Sequence, residues 1–203
     1  MKHIYLVFVA TDNIMGRLIR CFTGHVFSHA AISLDDSLVK MYSFARRQKR
    51  SPLVGGFVVE TPSRYFDSTG PVPLKIAEIT LDEVQYRHIL STLADFEKRQ
   101  EELIYNSVDA VLSLFGAHAR IRDSHTCFSF VAYALSLSKV GNVRDLEVYA
   151  QNNVIFNGDI RDYIKAPYAE NPFYFARLKL WIIAAGTIRH FYRLFARSVT
   201  RGK

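Results

Sequence analysis

The sequence is poor in several residue types that mark whole classes of protein. Its 203 residues include only two cysteines, six prolines and ten glycines. Two cysteines cannot build the disulfide framework of a small secreted domain, and so little proline and glycine excludes a collagen-like or low-complexity chain. Because 49% of the residues are hydrophobic, the chain can bury the core of one compact domain, alone or with an appendage.

Motifs that hold metals or phosphates are also missing. The sequence contains no HExxH, no paired CxxC, no GxxxxGK[ST] and no GxGxxG. His25 and His29 are four residues apart, with Asp35 and Asp36 close by. The residues from Phe27 onward have the pattern of a strand, however, where this spacing does not bring ligands together. We therefore predict no metal and no cofactor.

The positive charge of the chain is concentrated at its C-terminal end. The formal net charge is +7, and residues 168–203 contain seven lysines and arginines against Glu170 alone. The first 167 residues are nearly neutral, which argues against nucleic-acid binding, since a domain of that kind carries a basic face. The chain starts with a short apolar run that lacks a small-residue cleavage site, so we expect it to remain in the reducing cytoplasm.

The hydrophobic pattern predicts an α+β domain. Residues 4–10 are continuously apolar, as in a buried strand, and Asp12 or Asn13 is placed to cap a short helix that follows. The rest of the pattern predicts further strands and helices in alternating clusters. Strands are predicted at 28–34, 38–44, 57–61 and 73–79, and helices at 14–22, 82–103, 107–115 and 127–137.

The second and third strands are predicted to form a β-hairpin around the turn-forming residues 35–37. If the loop has three residues, His29 faces Ser43 across the hairpin. A slip of one residue would bring Tyr42 or Phe44 opposite His29 instead.

Cys127 lies at the predicted start of a helix. The residues before it, 123–126, read DSHT and supply capping groups, so the sulfur is expected at the positive end of the helix dipole. That setting favours the thiolate, which is the attacking species of a thiol, and the Cys127 backbone N–H is a natural donor to an oxyanion. The alternative is a small core residue in an apolar helix. Cys21 lies in the middle of an amphipathic helix, where a structural role is predicted.

Two segments resemble a known family. Residues 27–35, FSHAAISLD, and 126–132, TCFSFVA, are similar to the histidine and nucleophile segments of circularly permuted NlpC-type papain-like proteins, a group that includes the lecithin retinol acyltransferase type. The histidine precedes the cysteine, as in the permuted order. Further likeness, from about residue 4 to 163, is to a branch of mostly uncharacterised bacterial proteins. The resemblance implies a small antiparallel sheet packed against helices in residues 1–167, followed by a tail at 168–203.

The resemblance also implies the roles of individual residues. Cys127 is the nucleophile, His29 is the base, and a third polar group orients the imidazole. Relatives often place an acid or amide on the strand after the histidine, where this sequence offers Tyr42 and Ser43. Glu60, on the next predicted strand, either supplies the missing negative charge or is an exposed strand residue.

The tail is predicted to form a basic amphipathic helix. Arg189, Arg193, Arg197 and Arg201 recur every four residues and form one stripe, opposite apolar and aromatic residues. The uncharged residues 180–188 are far fewer than the roughly 20 needed to cross a bilayer. The helix is therefore expected to lie on an anionic membrane, or to pack on the body or on a partner with its arginine face in solvent.

The expected function is that of a thiol-dependent hydrolase or acyltransferase. It would act on an amide, ester or thioester through an acyl-cysteine intermediate, with an amidase or peptidase acting on small peptides as the first expectation. One alternative is a lipid acyltransferase or phospholipase-like enzyme that meets an acyl-lipid substrate at a membrane surface. In that case the protein would lie at the inner membrane face. The other alternative is a binding module with a degenerate site on the same fold.

Overall fold

The computed structural model describes residues 1–12, 14–66, 70–165 and 171–199. Within them the strands are β1 (Lys2–Val9), β2 (His29–Ser33), β3 (Met41–Arg46), β4 (Gly55–Glu60), β5 (Pro73–Leu81), β6 (Ile104–Tyr105), β7 (Ser124–His125) and β8 (Val154–Asp159). The helices are α1 (Ile14–Thr23), α2 (Glu83–Lys98), α3 (Ser107–Leu112), α4 (Cys127–Ala134), α5 (Val143–Ala150), α6 (Ile160–Tyr163), α7 (Pro172–Phe175) and α8 (Leu180–Val199).

Six of these strands form one antiparallel sheet. Their order across the sheet is β4-β3-β2-β1-β5-β8, and the short strands β6 and β7 form a separate parallel pair. β1 lies in the interior of the sheet, where it pairs with both β2 and β5. This arrangement confirms the predicted α+β class at the level of a small antiparallel sheet with helices.

The sheet has an apolar core on each face, because the side chains of its strands alternate. On one face, Ile4, Leu6 and Phe8 of β1 belong to a core that also contains buried residues of α2, α4 and α5. On the other face, Val7 and Val9 pack in a second core that includes residues of β5 and of the segment around α6. Two buried faces explain why β1 reads as a continuous apolar run.

The four predicted helices are present; α1 ends one residue beyond the prediction, and the other three are shorter than expected. The helix predicted to extend to residue 103 ends at Lys98, because the chain then turns so that Leu103 and Ile104 enter the core. The cysteine helix ends at Ala134 and is followed by Ser136 in the left-handed conformation, with φ of 56°. The proposed cap Asn13 lies outside the described residues.

The predicted register of the β2–β3 hairpin is wrong. The structure pairs Ile32 with Tyr42 and Ser33 with Met41, so the strands are offset by two residues from the expected alignment. Leu38 accounts for the difference. It adopts a left-handed conformation, with φ of 55°, and its side chain is fully buried in the second core. The connection is therefore longer than three residues, and β3 begins only at Met41.

Helix α8 forms as predicted, but Arg193 and Arg197 turn toward the body, whereas Arg189 is exposed. Arg193 donates to the main-chain oxygens of Glu101 and Glu102 at 3.0 and 2.8 Å. Arg197 donates to the main-chain oxygens of Glu102 and Asp123 at 2.9 and 3.1 Å. The expectation of a solvated arginine face was therefore wrong at these two positions. The most exposed large apolar side chains of the helix are Leu180, Trp181, Ile188, Tyr192, Phe195 and Val199.

Two expectations about the tail lie outside the described residues. They are the domain boundary between residues 167 and 168 and the position of Arg201. Across the described ranges, every helix is too short or too polar to cross a bilayer.

Candidate active site

Cys127 is the first residue of α4, and a reciprocal cap fixes that helix start. The Thr126 hydroxyl accepts from the Ser129 backbone N–H at 3.1 Å, and the Ser129 hydroxyl accepts from the Thr126 backbone N–H at 2.9 Å. The TCFS sequence thus forms a capping box. Cys127 is held at the positive end of the helix dipole and is 5% exposed.

The segment that leads into α4 is anchored on both sides. β7 pairs with β6, and the Asn106 backbone N–H donates to the His125 carbonyl at 2.9 Å. Asp123 has a left-handed backbone, with φ of 51°, and its carboxylate accepts from Arg99 at 2.7 Å. These contacts set the position at which α4, and so Cys127, begins.

His29 is the first residue of β2 and lies across from Val9 in the sheet. Its ring is buried, and its Nε2 atom is 2.9 Å from Glu60 Oε2. Because a carboxylate only accepts hydrogen bonds, Nε2 carries the proton and donates it to Glu60. Nδ1 is the ring nitrogen that remains for the thiol of Cys127, which lines the same cavity as His29.

Glu60 is the centre of a buried network. Besides the bond from His29, its Oε2 atom accepts from the Tyr65 hydroxyl at 2.6 Å, and its Oε1 atom accepts from Arg64 Nη1 at 2.7 Å. The side chain of Glu60 is only 2% exposed. The turn at Pro62–Arg64 directly after β4 brings Arg64 and Tyr65 back over the carboxylate. The carboxylate is therefore both neutralised and held in orientation.

This network shifts the protonation of both members of the His29–Glu60 pair. Burial alone would lower the pKa of His29, but the charge of Glu60 and hydrogen bonding of the imidazolium to Cys127 and Glu60 raise it to about 10. Burial would raise the pKa of Glu60, but the charges of His29 and Arg64 and the hydrogen bonds to His29 and Tyr65 lower it to about 2. At neutral pH the pair consists of an imidazolium and a carboxylate.

A cavity of about 320 Å³ opens at this pair, which we call the charged cavity. Cys127, His29 and Glu60 all line it, although 98 residues separate the histidine from the cysteine in sequence. The volume is at the lower end of the range for small-molecule sites. The thiol, the imidazole and the carboxylate therefore face one space with room for a small molecule.

Ser43 does not orient the imidazole, so that expectation was wrong. Its hydroxyl donates to the Ala30 carbonyl at 2.7 Å, and the side chain is fully buried. Tyr42 stacks on Phe57 instead of on the histidine. The cause is the hairpin register, which shifts both residues along the strand relative to His29.

The comparisons with known proteins identify no relative. No family model, no curated protein and no solved structure matches this chain. The resemblance to permuted NlpC-type proteins accordingly stays a prediction that rests on the motifs and their order.

Three side chains of the site were not foreseen from the sequence. They are Arg64 and Tyr65, which bind Glu60, and Tyr105, which lines the charged cavity. The signal for the first two is Pro62, which favours a turn directly after the strand and so folds the next residues back. Burial and the charges of Cys127 and Asp109 raise the pKa of Tyr105 well above its ordinary value. Its hydroxyl therefore stays protonated and can donate a hydrogen bond.

Two other sequence expectations can be compared with the structure. Cys21 is exposed, so its predicted structural role in a core was wrong. Within the described ranges, no three His, Cys, Asp or Glu side chains are grouped so that they could hold a metal ion.

Proposed function

We propose that the protein is a cysteine hydrolase or acyltransferase of the Cys-His-Glu type, with amidase or peptidase activity on small substrates. The observation that carries this proposal is the 2.9 Å bond between His29 Nε2 and Glu60 Oε2, made beside a thiol at a capped helix start. A buried carboxylate that holds an imidazole in one orientation and stabilises its cation is what a thiolate–imidazolium pair requires. A site that only binds ligands has no need of this arrangement.

In the proposed reaction the Cys127 thiolate attacks the carbonyl carbon of an amide, ester or thioester. The backbone N–H of Cys127 and the Tyr105 hydroxyl donate to the developing oxyanion. The C–N, C–O or C–S bond to the leaving group then breaks, and the leaving atom takes the proton of the His29 imidazolium. Water next gives a proton to His29 and attacks the acyl-cysteine carbonyl. The acid is released, and the thiolate and imidazolium are restored; an acceptor alcohol or amine in place of water gives acyl transfer.

We also propose that the fold is the permuted papain-like one. In support, the histidine on an interior strand precedes a cysteine that begins a helix, and this helix packs on the sheet in one shared core. The network around Glu60 supplies the orienting group that the family pattern needs, from the strand after the expected one. The FSHAAISLD and TCFSFVA segments remain the sequence support.

Selective alkylation tests the proposal. We expect iodoacetamide at pH 6 to modify buried Cys127 faster than exposed Cys21, as mapped by peptide mass spectrometry, because the thiolate and not the thiol reacts. His29→Ala should slow the labelling of Cys127 by at least about 10-fold and leave that of Cys21 unchanged. His125→Phe is the matched control, since His125 is near in sequence but bonds to neither Cys127 nor Glu60 among the described contacts. Equal, slow labelling of both cysteines would instead support the degenerate binding module.

A second candidate function, favoured by helix α8, is action at a membrane surface. Trp181, Ile188 and Phe195 are 67%, 71% and 68% exposed on this helix, while Arg193 and Arg197 turn inward. An exposed aromatic and aliphatic stripe of this kind, with the exposed cations of 177, 179 and 189 nearby, suits an anionic bilayer. In this version the substrate is an acyl lipid and the protein lies at the inner membrane face.

Vesicle sedimentation tests this second candidate. We expect the wild-type chain to sediment with vesicles of phosphatidylglycerol and phosphatidylcholine, and less so as salt rises. The double substitution Trp181→Ser and Phe195→Ser should abolish sedimentation. Val84→Ser, at an exposed apolar position of α2, is the control and should have no effect. A wild-type chain that stays in the supernatant, or a double variant that sediments fully, contradicts the membrane version.

A further inference from the structure

Cys127 lies between two cavities, not one. Besides the charged cavity it lines a second space of about 300 Å³, which we call the apolar cavity. Ile19, Ser28 and Tyr105 also line both spaces, so together with Cys127 they form the boundary between them. His29 and Glu60 line the charged cavity only. A carbonyl bound at the thiol therefore has a different environment on each side.

The charged cavity carries an excess of positive charge. Arg46, Lys49 and Arg64 line it, against the carboxylates of Asp12 and Glu60. Glu60 is neutralised within its own network, and Asp12 is paired with Arg17 at 2.8 Å. With the His29 imidazolium added, the field in this cavity favours an anionic group on a ligand.

The apolar cavity has walls of a different kind. Seven of its lining residues are aliphatic or carry a phenyl or phenol ring: Ile19, Phe27, Tyr105, Ala110, Leu114, Phe128 and Val143. Among the described residues that line it there is no carboxylate, and the one lysine or arginine is the exposed Arg144. Burial of apolar surface is the main gain that such a space offers to a ligand.

The position of His29 decides which part of the substrate enters which cavity. The general acid must reach the leaving atom, and His29 faces only the charged cavity. The leaving group therefore lies on that side, and the acyl group lies on the other side of the thiol. This assignment rests on the proposed function, since it uses the acyl-cysteine reaction to orient the substrate.

From these observations we infer that the substrate is an acyl compound with a small apolar acyl group and an anionic leaving group. The acyl group occupies the apolar cavity, and a carboxylate or phosphate on the leaving group meets the cations of the charged cavity. N-acyl amino acids and acylated phosphate esters belong to this class. The reaction forms the C–S bond to Cys127 and breaks the bond to the leaving group, which departs with the proton of His29.

Four aryl esters test the inference in the full chain. They combine an acetyl or a hexanoyl group with 4-hydroxybenzoate, which is anionic, or 4-hydroxybenzamide, which is neutral and of similar shape. Release of the phenol gives kcat/KM for each. The wild type should favour hexanoyl over acetyl by at least about 10-fold, because four more methylenes are buried. It should favour the benzoate over the benzamide by about 10-fold, because the charged group gains ionic hydrogen bonds.

Two variants separate the cavities, each with a matched control. Leu114→Trp fills the apolar cavity and should abolish only the hexanoyl preference, whereas Val111→Trp, three residues earlier in α3 and outside the lining of the cavity, should keep it. Arg46→Gln should abolish only the benzoate preference, and Arg46→Lys should keep most of it.

The outcomes also separate this inference from the proposed function. If the wild type cleaves all four esters equally and Cys127→Ala abolishes the cleavage, the hydrolase stands and the two-cavity inference is overturned. The inference is also overturned if Leu114→Trp removes the preference for charge. If Cys127→Ala cleaves as well as the wild type, or if no ester is cleaved, the proposed function fails with it.

Discussion

Two histidines near the start of α4 are removed from solvent, and their pKa values are shifted in opposite directions. His29 is bonded to a buried carboxylate, and its pKa is raised to about 10. His125, two residues before Cys127, is half-buried among the rings of Phe44, Phe96 and Tyr133, and burial lowers its pKa to about 4. The distant charge of Asp123 offsets this only in part. One ring is a cation at neutral pH and the other is neutral.

The comparison shows that enclosure alone does not make a histidine suitable for activating a thiol. Desolvation acts on both rings in the same direction, toward the neutral form. Only the ring with a carboxylate in contact gains the cation. His190 of α8 supports this conclusion, because burial is the largest cause of its lowered pKa and no carboxylate is bonded to it within the described part of the chain. Among these three rings, the bonded carboxylate and not the depth of burial is therefore the feature that singles out His29.

Glu60→Gln is expected to have the largest effect, because it should make the pKa of His29 resemble that of His125. It removes the charge and keeps the shape, so burial should lower the pKa of His29 below 6.5, as it does for His125. An NMR titration of the ring protons should find the His29 transition moving from near pH 10 to below pH 6.5. Hydrolysis at pH 8 should fall by about 100-fold or more, since the thiolate–imidazolium pair is no longer formed. A His29 transition that stays near pH 10 in the variant contradicts this account.

The same substitution should change stability in a pH-dependent way. A raised histidine pKa stabilises the fold below pH 6.5, and this contribution is lost as the pH rises through about 10. A lowered glutamate pKa stabilises it above pH 4.5, and this is lost as the pH falls through about 2. Both contributions are complete between pH 4.5 and pH 6.5. Urea unfolding should therefore find the largest loss of stability in Glu60→Gln in that window, about 3–5 kcal/mol, with smaller losses at lower and higher pH. Tyr65→Phe, which keeps the carboxylate and removes one of its hydrogen bonds, is the control: its deficit should be smaller and should not change between pH 6.5 and pH 10.

The sequence predicted the cysteine and the histidine of this site better than the group that orients the imidazole. Cys127 and His29 belong to local patterns, a capped helix and an apolar strand, that a single sequence displays. Ser43 was favoured as a partner through a register argument that failed at Leu38, whose burial in a left-handed conformation lengthens the turn. Glu60 was named, but whether it faces the core or solvent depends on how β4 packs, which no local pattern records.

For helix α8, too, the sequence predicts the element but not which of its faces contacts the body. Its helical period and its apolar and basic stripes are visible in the sequence, and the helix is present. Which stripe faces the body depends on carbonyl oxygens far away in sequence, at Glu101, Glu102 and Asp123, which accept hydrogen bonds from Arg193 and Arg197. Long-range hydrogen bonds of this kind have no signature in the periodicity of the helix itself.

The smallest effect is expected for a substitution of the neutral histidine, His125. His125→Phe keeps a ring in the aromatic cluster, so alkylation of Cys127 should not change, and the free energy of unfolding at pH 7 should shift by less than about 1.5 kcal/mol. A histidine with a lowered pKa reduces the free energy of unfolding as the pH falls from 6.5 toward 4, because over this range the unfolded chain binds a proton and the folded chain does not. The variant should therefore lose about 2 kcal/mol less than the wild type between pH 7 and pH 4.5 in urea unfolding. Equal acid losses in both proteins would mean that His125 is protonated in the folded state, and the contrast with His29 would then have to rest on the carboxylate contact alone.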